Sequence, residues 1–260
     1  MPESDLALLT RAARAAAETA LTYTGEALNV RYKAADGSPV TDADMAVNRV
    51  LSGILRAARP DYGWLSEESA DDPARLSAGH VFIVDPIDGT RSFIEGSDSW
   101  AHSLAVARDG AVTAAVILMP MRDRLYSAAL GEGATLNGTA LAASGVADPE
   151  QAQVLATKPA ADPKHWQDGT PGFHRVHRPS IAYRLGLVAE GRFDAMVTFR
   201  ATWEWDIAAG ALILSEAGAR MTDRSGAPIR FNAPVPQHDG IVAANPALHA
   251  RLLAAIAPRV

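Results

Sequence analysis

The sequence contains no cysteine among its 260 residues. This absence excludes disulfide bonds, thiolate metal ligands and cysteine nucleophiles. No apolar run approaches the roughly 18 residues that a membrane-spanning helix needs, and the amphipathic N-terminal segment carries acidic residues early, unlike a signal peptide. The 24 basic residues are outnumbered by 30 acidic ones, which argues against binding to nucleic-acid polymers. We therefore expect a cytoplasmic enzyme.

The sequence is otherwise typical of a soluble globular protein, with 48% hydrophobic and 21% charged residues. A chain of this length can bury a core without cross-links, so any metal is expected to serve function. Helical spacing of apolar residues predicts amphipathic helices from Leu6 to Leu21 and from about Thr41. Alternating apolar stretches from Ser103 to Leu136 predict an antiparallel meander. Strands and helices mix again in the second half, which predicts a layered α/β or α+β fold.

The segment VFIVDPIDGTRSF, from Val81 to Phe93, ends an apolar strand in two aspartates. Because Pro86 cannot continue a central strand, the chain is expected to leave the sheet between Asp85 and Asp88. A hard cation such as Mg²⁺ would offset the repulsion between the two carboxylates. The alternative is structural, with one aspartate paired to Arg91 and the other capping a helix.

Gly89 and Thr90 follow the second aspartate of this segment. Gly89 permits a tight turn, and Thr90 can begin a helix. The backbone N–H groups of both residues would then point outward and provide a phosphate site at a helix N-terminus.

Other acidic positions are ambiguous when each is considered alone. Glu67 and Glu68 in LSEES are also typical of a solvated loop. Asp44 follows Thr41 at the spacing of a helix capping box, although its carboxylate could also point inward. Asp206 in WEWDIAAG suits a helix N-cap, but the small residues after it allow close backbone approach.

The motifs SPVTDAD, LSEES, DPIDGTRSF and WDIAAGALILSEAG together resemble the inositol monophosphatase family of Mg²⁺-dependent phosphatases over essentially the whole chain. The resemblance implies a layered α-β-α-β-α sandwich and two or three Mg²⁺ ions per active site. It assigns most metal ligands to an α+β half at residues 1–140. An α/β half at residues 141–260 would supply Asp206 and the residues of substrate specificity. A homodimer is compatible with the resemblance, but no residue identifies an interface.

The resemblance also implies roles for individual residues. The metal ligands would be Glu67, Asp85, Asp88 and Asp206, with the backbone carbonyl of Ile87. Asp44 and Thr90 match the pair that deprotonates the attacking water, and Glu67 is also counted as catalytic. Gly89 and Thr90 lie where the family binds phosphate, and Asp206 is also expected to contact substrate. Inhibition by Li⁺, through replacement of a weakly held metal, is a further implication.

The substrate is less constrained than the reaction. Phe199 and Arg200 lie where inositol monophosphatases typically carry a glutamate for the inositol hydroxyls, and they suit a nucleotide or a second anion better. The stretches KAADGSPVTDAD, LSEES and LVAEG resemble the 3'(2'),5'-bisphosphate nucleotidases of sulfur metabolism, which convert 3'-phosphoadenosine 5'-phosphate to AMP and phosphate. Arg184 lies roughly where that branch has a basic residue. The alternatives are a phosphatase of inositol 1-phosphate, of another sugar phosphate or of histidinol phosphate, and an inactive binding module.

Two further features of the second half stay open. The segment FHRVHRPS either offers charge to a second phosphate or forms a solvated basic loop, through His174, Arg175, His177 and Arg178. A transition-metal site at its two histidines is a weaker alternative, because no acidic partner lies in the motif. Trp203 and Trp205 suit base stacking or core packing, and core packing is the expectation.

Overall fold

Six α-helices lie in the part of the chain that the computed structural model describes, which is residues 3–23, 28–34 and 37–258. They are α1 (Asp5–Ala20), α2 (Asp42–Ala58), α3 (Thr90–Ile94), α4 (Ile181–Ala189), α5 (Glu204–Glu216) and α6 (Pro246–Ala255).

The strands in chain order are β1 (Arg31–Tyr32), β2 (Pro39–Val40), β3 (Gly63–Ser66), β4 (His80–Asp88), β5 (Ala101–Arg108), β6 (Ala111–Met119), β7 (Arg124–Ala129), β8 (Ala134–Leu136), β9 (Thr139–Ala140), β10 (Gln153–Ala156), β11 (His174–Val176), β12 (Ala195–Trp203), β13 (Arg220–Thr222) and β14 (Gln237–Ala244). A seven-stranded sheet has the order β3-β4-β5-β6-β7-β8-β9 and is antiparallel except at β3-β4. A five-stranded sheet has the order β11-β10-β12-β14-β13, and β1 pairs with β2. The predicted antiparallel meander corresponds to β5 through β8.

The sheets and helices alternate in five layers. α1 and α2 pack on one face of the seven-stranded sheet. α4 and α5 lie between its other face and the five-stranded sheet, in a core shared by residues from both halves of the chain. α6 covers the outer face of the five-stranded sheet. The predicted α-β-α-β-α sandwich is therefore confirmed.

Helix boundaries follow the capping residues in the sequence. Ser4 caps α1 by accepting a hydrogen bond from the Ala7 N–H, and Thr41 and Asp44 form a complete capping box on α2. Asn245 caps α6 and Pro246 occupies its first position, as the sequence predicts. None of the helices in the described ranges combines the length and apolar character needed to cross a bilayer.

The prediction that the chain leaves the sheet at Pro86 is wrong. β4 continues to Asp88, but its register against β5 shifts between Asp85 and Asp88. Asp85 pairs with Ser103 and Asp88 with Ala101, so two residues of β4 face a single residue of β5. This is a β-bulge, and it accommodates a proline without a ladder N–H while the strand carries on.

Candidate active site

Three carboxylates meet where β4 ends and α5 begins. Each of Asp85, Asp88 and Asp206 has a carboxylate oxygen within 4.8 Å of an oxygen of the other two. Among the described residues, these three form the acidic group that could hold a metal ion. Asp85 and Asp88 are buried, whereas Asp206 is half-buried. A donor set made only of carboxylate oxygens suits a hard divalent cation.

Asp85 is the most enclosed member of this acidic cluster. Its Oδ1 atom is buried and has no hydrogen-bond partner. Burial raises its pKa well above the ordinary value, and the charges of Glu67, Asp88 and Asp206 raise it further. Buried polar atoms are almost always satisfied, so an orphaned carboxylate oxygen facing two other carboxylates fits a cation ligand.

Asp88 is held by the N-terminal end of α4. Its Oδ2 atom accepts hydrogen bonds of 2.6 Å from Ser180 Oγ and of 2.6 Å from the Ala182 N–H. Burial raises the pKa of Asp88, while these hydrogen bonds and the charge of Arg184 act in the opposite direction. Ser180 takes a φ of 62°, a strained value for serine, as it joins this aspartate to the helix.

Asp206 lies in the first turn of α5 and is not its N-cap, which is Trp203. The Asp206 carboxylate accepts a hydrogen bond from the Trp203 N–H, so it satisfies a helix N–H from within the first turn. Burial raises its pKa well above the ordinary value, as do Asp88 and Glu67, while Arg200 opposes them. The predicted close approach after Asp206 occurs at Gly210, where a Cβ atom would stand 2.3 Å from Leu185 Cδ1.

Glu67 and Glu68 do not form a solvated loop. Lys33 Nζ lies 2.7 Å from an oxygen of each glutamate, and the Glu68 side chain is only 5% exposed. Burial would lower the pKa of Lys33, but the two glutamates raise it overall. Glu67 stands outside the three-aspartate group, yet its charge raises the pKa values of Asp44, Asp85 and Asp206. Lys33 begins the stretch KAADGSPVTDAD, but nothing in that stretch predicts its contact with two glutamates that lie 34 and 35 residues further along the chain.

Asp44 combines the two roles that the sequence left open. It accepts hydrogen bonds from the Thr41 N–H (2.7 Å) and from Thr41 Oγ1 (2.6 Å), and it is also 1% exposed and turned inward. Burial raises its pKa from 3.8 to about 6. Its other oxygen lies 3.4 Å from Thr90 Oγ1, which in turn lies 3.2 Å from the Ile87 carbonyl.

α3 begins at Thr90, as predicted, after Gly89 at a φ of 98°. A Cβ atom at Gly89 would stand 3.3 Å from the Ser99 carbonyl oxygen, so both conformation and space favour glycine there. The alternative ion pair between Arg91 and an aspartate does not form, because Arg91 is exposed and has no carboxylate partner among the described residues.

A basic border adjoins the acidic cluster at Arg184 and Arg200 and continues away from it to Arg175 and Arg178. Arg184 is 6% exposed, and its pKa is lowered by burial, although Asp88 and Asp206 act to raise it. Arg200 is exposed and close enough to influence both Arg184 and Asp206. Arg175 and Arg178 surround His177, whose pKa is lowered by partial burial and by the nearby arginines. Within the described ranges, no carboxylate lies within ion-pair distance of these four arginines.

Arg200 reaches this border because of a bulge in β12. The register between β12 and β14 shifts between Thr198 and Ala201. Opposite the bulge, Gly240 has a φ of 67°, and a Cβ atom there would stand 2.5 Å from the Thr198 carbonyl oxygen. Bulges re-aim side chains near functional sites, and this one requires glycine on the facing strand.

The two tryptophans differ from each other in their packing. Trp205 is half-buried against the core between the sheets. Trp203 is 36% exposed and stacks on Trp205 with ring centroids 4.7 Å apart and an interplanar angle of 10°. The expectation is therefore wrong for Trp203, because the strand ends there and its side chain faces outward.

Two polar residues of β5 also adjoin the site and were not predicted. His102 is fully buried, and its Nδ1 donates a hydrogen bond to the Pro86 carbonyl. Burial lowers its pKa to about 4, so the ring is neutral at physiological pH. Ser103 Oγ donates a 3.1 Å hydrogen bond to the Trp205 carbonyl. Neither residue stands out in the apolar run of the meander.

The chain as a whole is similar to known proteins. The model of the inositol monophosphatase family matches residues 1–260. The inositol-1-monophosphatase of Rhizobium meliloti is 35% identical over 72% of this chain and 73% of its own length. The histidinol-phosphatase of Chlorobaculum parvum is 32% identical over 97% of this chain and 96% of its own. An IMPase of Thermotoga maritima superposes with a TM-score of 0.81 at 27% identity, over 94% of this chain and 93% of its own.

Proposed function

The chain belongs to the inositol monophosphatase family and is a phosphatase, and we propose that its substrate carries a second anionic group beside the phosphate that is hydrolysed. The specific substrate we propose is 3'-phosphoadenosine 5'-phosphate, hydrolysed to AMP and phosphate with Mg²⁺. The observation that carries the proposal is the juxtaposition of the acidic cluster with Arg184 and Arg200, which have no carboxylate within ion-pair distance among the described residues.

The acidic cluster supports a site for Mg²⁺. Asp85, Asp88 and Asp206 would hold the cation, with Glu67 and the Ile87 carbonyl as further ligands. The orphaned Asp85 oxygen and the all-oxygen donor set fit such an ion. When bound, the cation lowers the pKa of a water and offsets charge on the leaving oxygen.

The contact between Asp44 and Thr90 supports a role for this pair in accepting the proton of the attacking water. The Thr90 hydroxyl can donate to Asp44 Oδ1 while its own oxygen accepts from a water. A carboxylate whose pKa is about 6 is a competent proton acceptor near neutral pH, because it is mostly ionised yet more basic than an ordinary aspartate. Gly89 and Thr90 at the start of α3 would bind the phosphate that is hydrolysed.

The basic border supports a second anion on the substrate. Arg184 is buried beside the acidic cluster, where its Nε donates to the Arg178 carbonyl but no carboxylate of the described residues lies within ion-pair distance. Its guanidinium is therefore available to bind an anion of the substrate. Arg200 extends the border outward, and the exposed Trp203 ring offers a flat apolar face of the kind on which a nucleobase stacks. A neutral polyol would leave both features unused.

Histidinol phosphate is the second candidate, because the relative that matches 97% of this chain is named a histidinol-phosphatase. Inositol 1-phosphate is favoured in the same way by the relative from Rhizobium meliloti. The arginine border argues against both. It would repel the ammonium group of histidinol, and it would find no second anion on inositol 1-phosphate.

The test compares Mg²⁺-dependent phosphate release from the three esters by kcat/KM, in the wild type and in the variants Arg184→Gln and Arg200→Gln. We expect a preference for 3'-phosphoadenosine 5'-phosphate. Each variant should raise its KM by about 10-fold or more, since a hydrogen bond to a charged group contributes roughly 1.5–3 kcal/mol. The KM for inositol 1-phosphate should barely change. Arg108→Gln, at an exposed arginine at the end of β5, is the control. A preference for either monophosphate would overturn the substrate proposal.

A further inference from the structure

β5 carries two consecutive buried polar residues, His102 and Ser103, on opposite faces of the seven-stranded sheet. Their exposed fractions are 0% and 1%. Successive side chains of a strand point to opposite faces, so His102 lies beside Trp100 on the α1/α2 side, at a ring distance of 5.4 Å. Ser103 lies on the side of α5, whose Trp205 carbonyl it contacts. The two residues therefore reach two different elements of the site.

His102 is the single β5 residue that faces the bulge in β4. Asp85 pairs with Ser103 and Asp88 with Ala101, which leaves Pro86 and Ile87 opposite His102. The bulge interrupts the ladder, and the Pro86 carbonyl is hydrogen-bonded by His102 Nδ1. Because a carbonyl can only accept, Nδ1 must carry the proton in the neutral ring. The other ring nitrogen, Nε2, is buried without a partner.

Ser103 makes a similar contact with the backbone next to the third carboxylate, Asp206. Its hydroxyl donates to the carbonyl of Trp205, the residue directly before Asp206. On the backbone, Ser103 also pairs with Asp85. One residue thus links the start of α5 to the end of β4.

We propose that His102 and Ser103 are positioning residues that set the separation between the Asp85–Asp88 pair and Asp206, and thereby the affinity for the divalent cation. Neither side chain touches a carboxylate of the cluster. Each acts through one backbone carbonyl, that of Pro86 or that of Trp205. The inference rests on the proposed metal site and adds to it the residues that fix its dimensions.

Physical reasoning favours these two contacts over the general rigidity of the sheet. The three carboxylates of the cluster, two buried and one half-buried, repel one another, and the charges of Asp88 and Asp206 raise the pKa of Asp85. The cluster therefore tends to spread when no cation is bound. A bulge locally disrupts the hydrogen-bond ladder of a sheet, and helix ends fray. His102 fixes the bulge and Ser103 fixes the helix end. Loss of such supporting contacts typically weakens metal binding 10- to 100-fold.

The test measures Mg²⁺ binding to the metal-free full chain by calorimetry, with Mn²⁺ as a paramagnetic probe of the same site. Asn and Gln at position 102 form a matched pair, because the Asn amide nitrogen occupies the place of Nδ1 and that of Gln the place of Nε2. Thr and Ala form the pair at position 103. We expect His102→Gln and Ser103→Ala to raise the Kd for Mg²⁺ by about 10-fold. Both variants should also alter the electron paramagnetic resonance spectrum of bound Mn²⁺. His102→Asn and Ser103→Thr should stay close to the wild type.

Two controls separate this effect from lost stability. His249 is a buried histidine bonded to Thr222 in another part of the fold, and Ser127 bonds Thr135 within the same sheet as β5. His249→Gln and Ser127→Ala should lower the melting temperature without changing Mg²⁺ affinity. Equal Mg²⁺ affinity in all folded variants at positions 102 and 103 would overturn the inference. If the wild type binds no Mg²⁺, it is the proposed metal site that fails instead.

Discussion

Ser180 Oγ donates a 2.6 Å hydrogen bond to Asp88 Oδ2, although the two residues are 92 positions apart in the chain. The same Ser180 oxygen accepts from the Tyr183 N–H and so caps α4. One hydroxyl therefore anchors a helix and orients a carboxylate of the acidic cluster.

We predict that Ser180→Ala weakens both functions. Loss of an N-cap costs about 1 kcal/mol, and loss of a hydrogen bond to a charged group adds roughly 1.5–3 kcal/mol. The φ of 62° at this position also disfavours alanine. Chemical denaturation in the presence of Mg²⁺ should show the combined loss. Ser4→Ala removes a cap from α1, far from the acidic cluster in sequence. It should cost only the N-cap contribution of about 1 kcal/mol and leave activity intact.

Asp44→Asn should separate catalysis from stability. The Asn oxygen can still accept from Thr41, so the capping box survives, but the proposed proton acceptor is lost and kcat should fall by roughly 100-fold or more. Because folding raises the pKa of Asp44 from 3.8 to about 6, the folded state binds its proton more tightly than the unfolded chain does. That contribution is complete below pH 3.8 and is lost as the pH rises through about 6.

The pH dependence of stability gives a measurement that does not involve activity. In the presence of a chelator, the wild type should lose stability relative to Asp44→Asn as the pH rises through this window. Melting temperatures of both proteins across the window provide the comparison. Asp42→Asn, an exposed carboxylate in the same helical turn, is the control. A constant difference in melting temperature across the window would contradict the assignment.

Lys33→Gln tests whether Lys33 acts as a counter-ion to the acidic site. Its ammonium group lies 2.7 Å from both Glu67 and Glu68. Without it, the two glutamates repel each other, so the metal-free protein should lose about 2 kcal/mol or more. The site becomes more negative, and the Mg²⁺ concentration for half-maximal activity should fall. Lys164→Gln, which breaks an exposed ion pair with Asp162, should change neither quantity. A higher Mg²⁺ requirement in Lys33→Gln would refute the prediction.

Gly240→Ala tests the bulge that presents Arg200. The added Cβ would stand 2.5 Å from the Thr198 carbonyl oxygen, and the φ of 67° is unfavourable for alanine. We expect a loss of roughly 2–4 kcal/mol in stability, of which the conformation alone accounts for about 1–2 kcal/mol. The KM for the bisphosphate should rise more than the KM for inositol 1-phosphate. Gly138→Ala has a similar φ of 81° with no atom within 4 Å, so it isolates the conformational part. Equal losses in both variants would show that the bulge tolerates a side chain.

The sequence predicted those parts of the site that lie within a single motif. DPIDGT and WEWD place Asp85, Asp88 and Asp206 at the ends of a strand and a helix, and the structure brings these three together. The layered fold was predictable for a similar reason, since apolar periodicity and capping residues are local signals. The assignment of Glu67 and Ile87 as metal ligands stays a prediction.

The rest of the site depends on contacts between distant parts of the chain. Nothing near Ser180 indicates that it bonds Asp88, and His102 stands in an otherwise apolar strand. The path of β4 past Pro86 was predicted wrongly, because the bulge that permits it needs a hydrogen-bond donor on the neighbouring strand. Trp203 was assigned to the core, but its exposure depends on where β12 ends. Local patterns contain no information on any of these contacts.

The placement of Asp206 in α5 has a consequence for biosynthesis. Asp85 and Asp88 leave the ribosome long before α4 and α5 do, and without those helices Asp88 has no donor from Ser180 and the acidic cluster lacks its third member. A nascent chain that ends before Asp206 therefore cannot complete the three-aspartate group, however much Mg²⁺ surrounds it. Cation binding at the proposed site would therefore require the middle helical layer, so it would follow the synthesis of α5 and not that of β4.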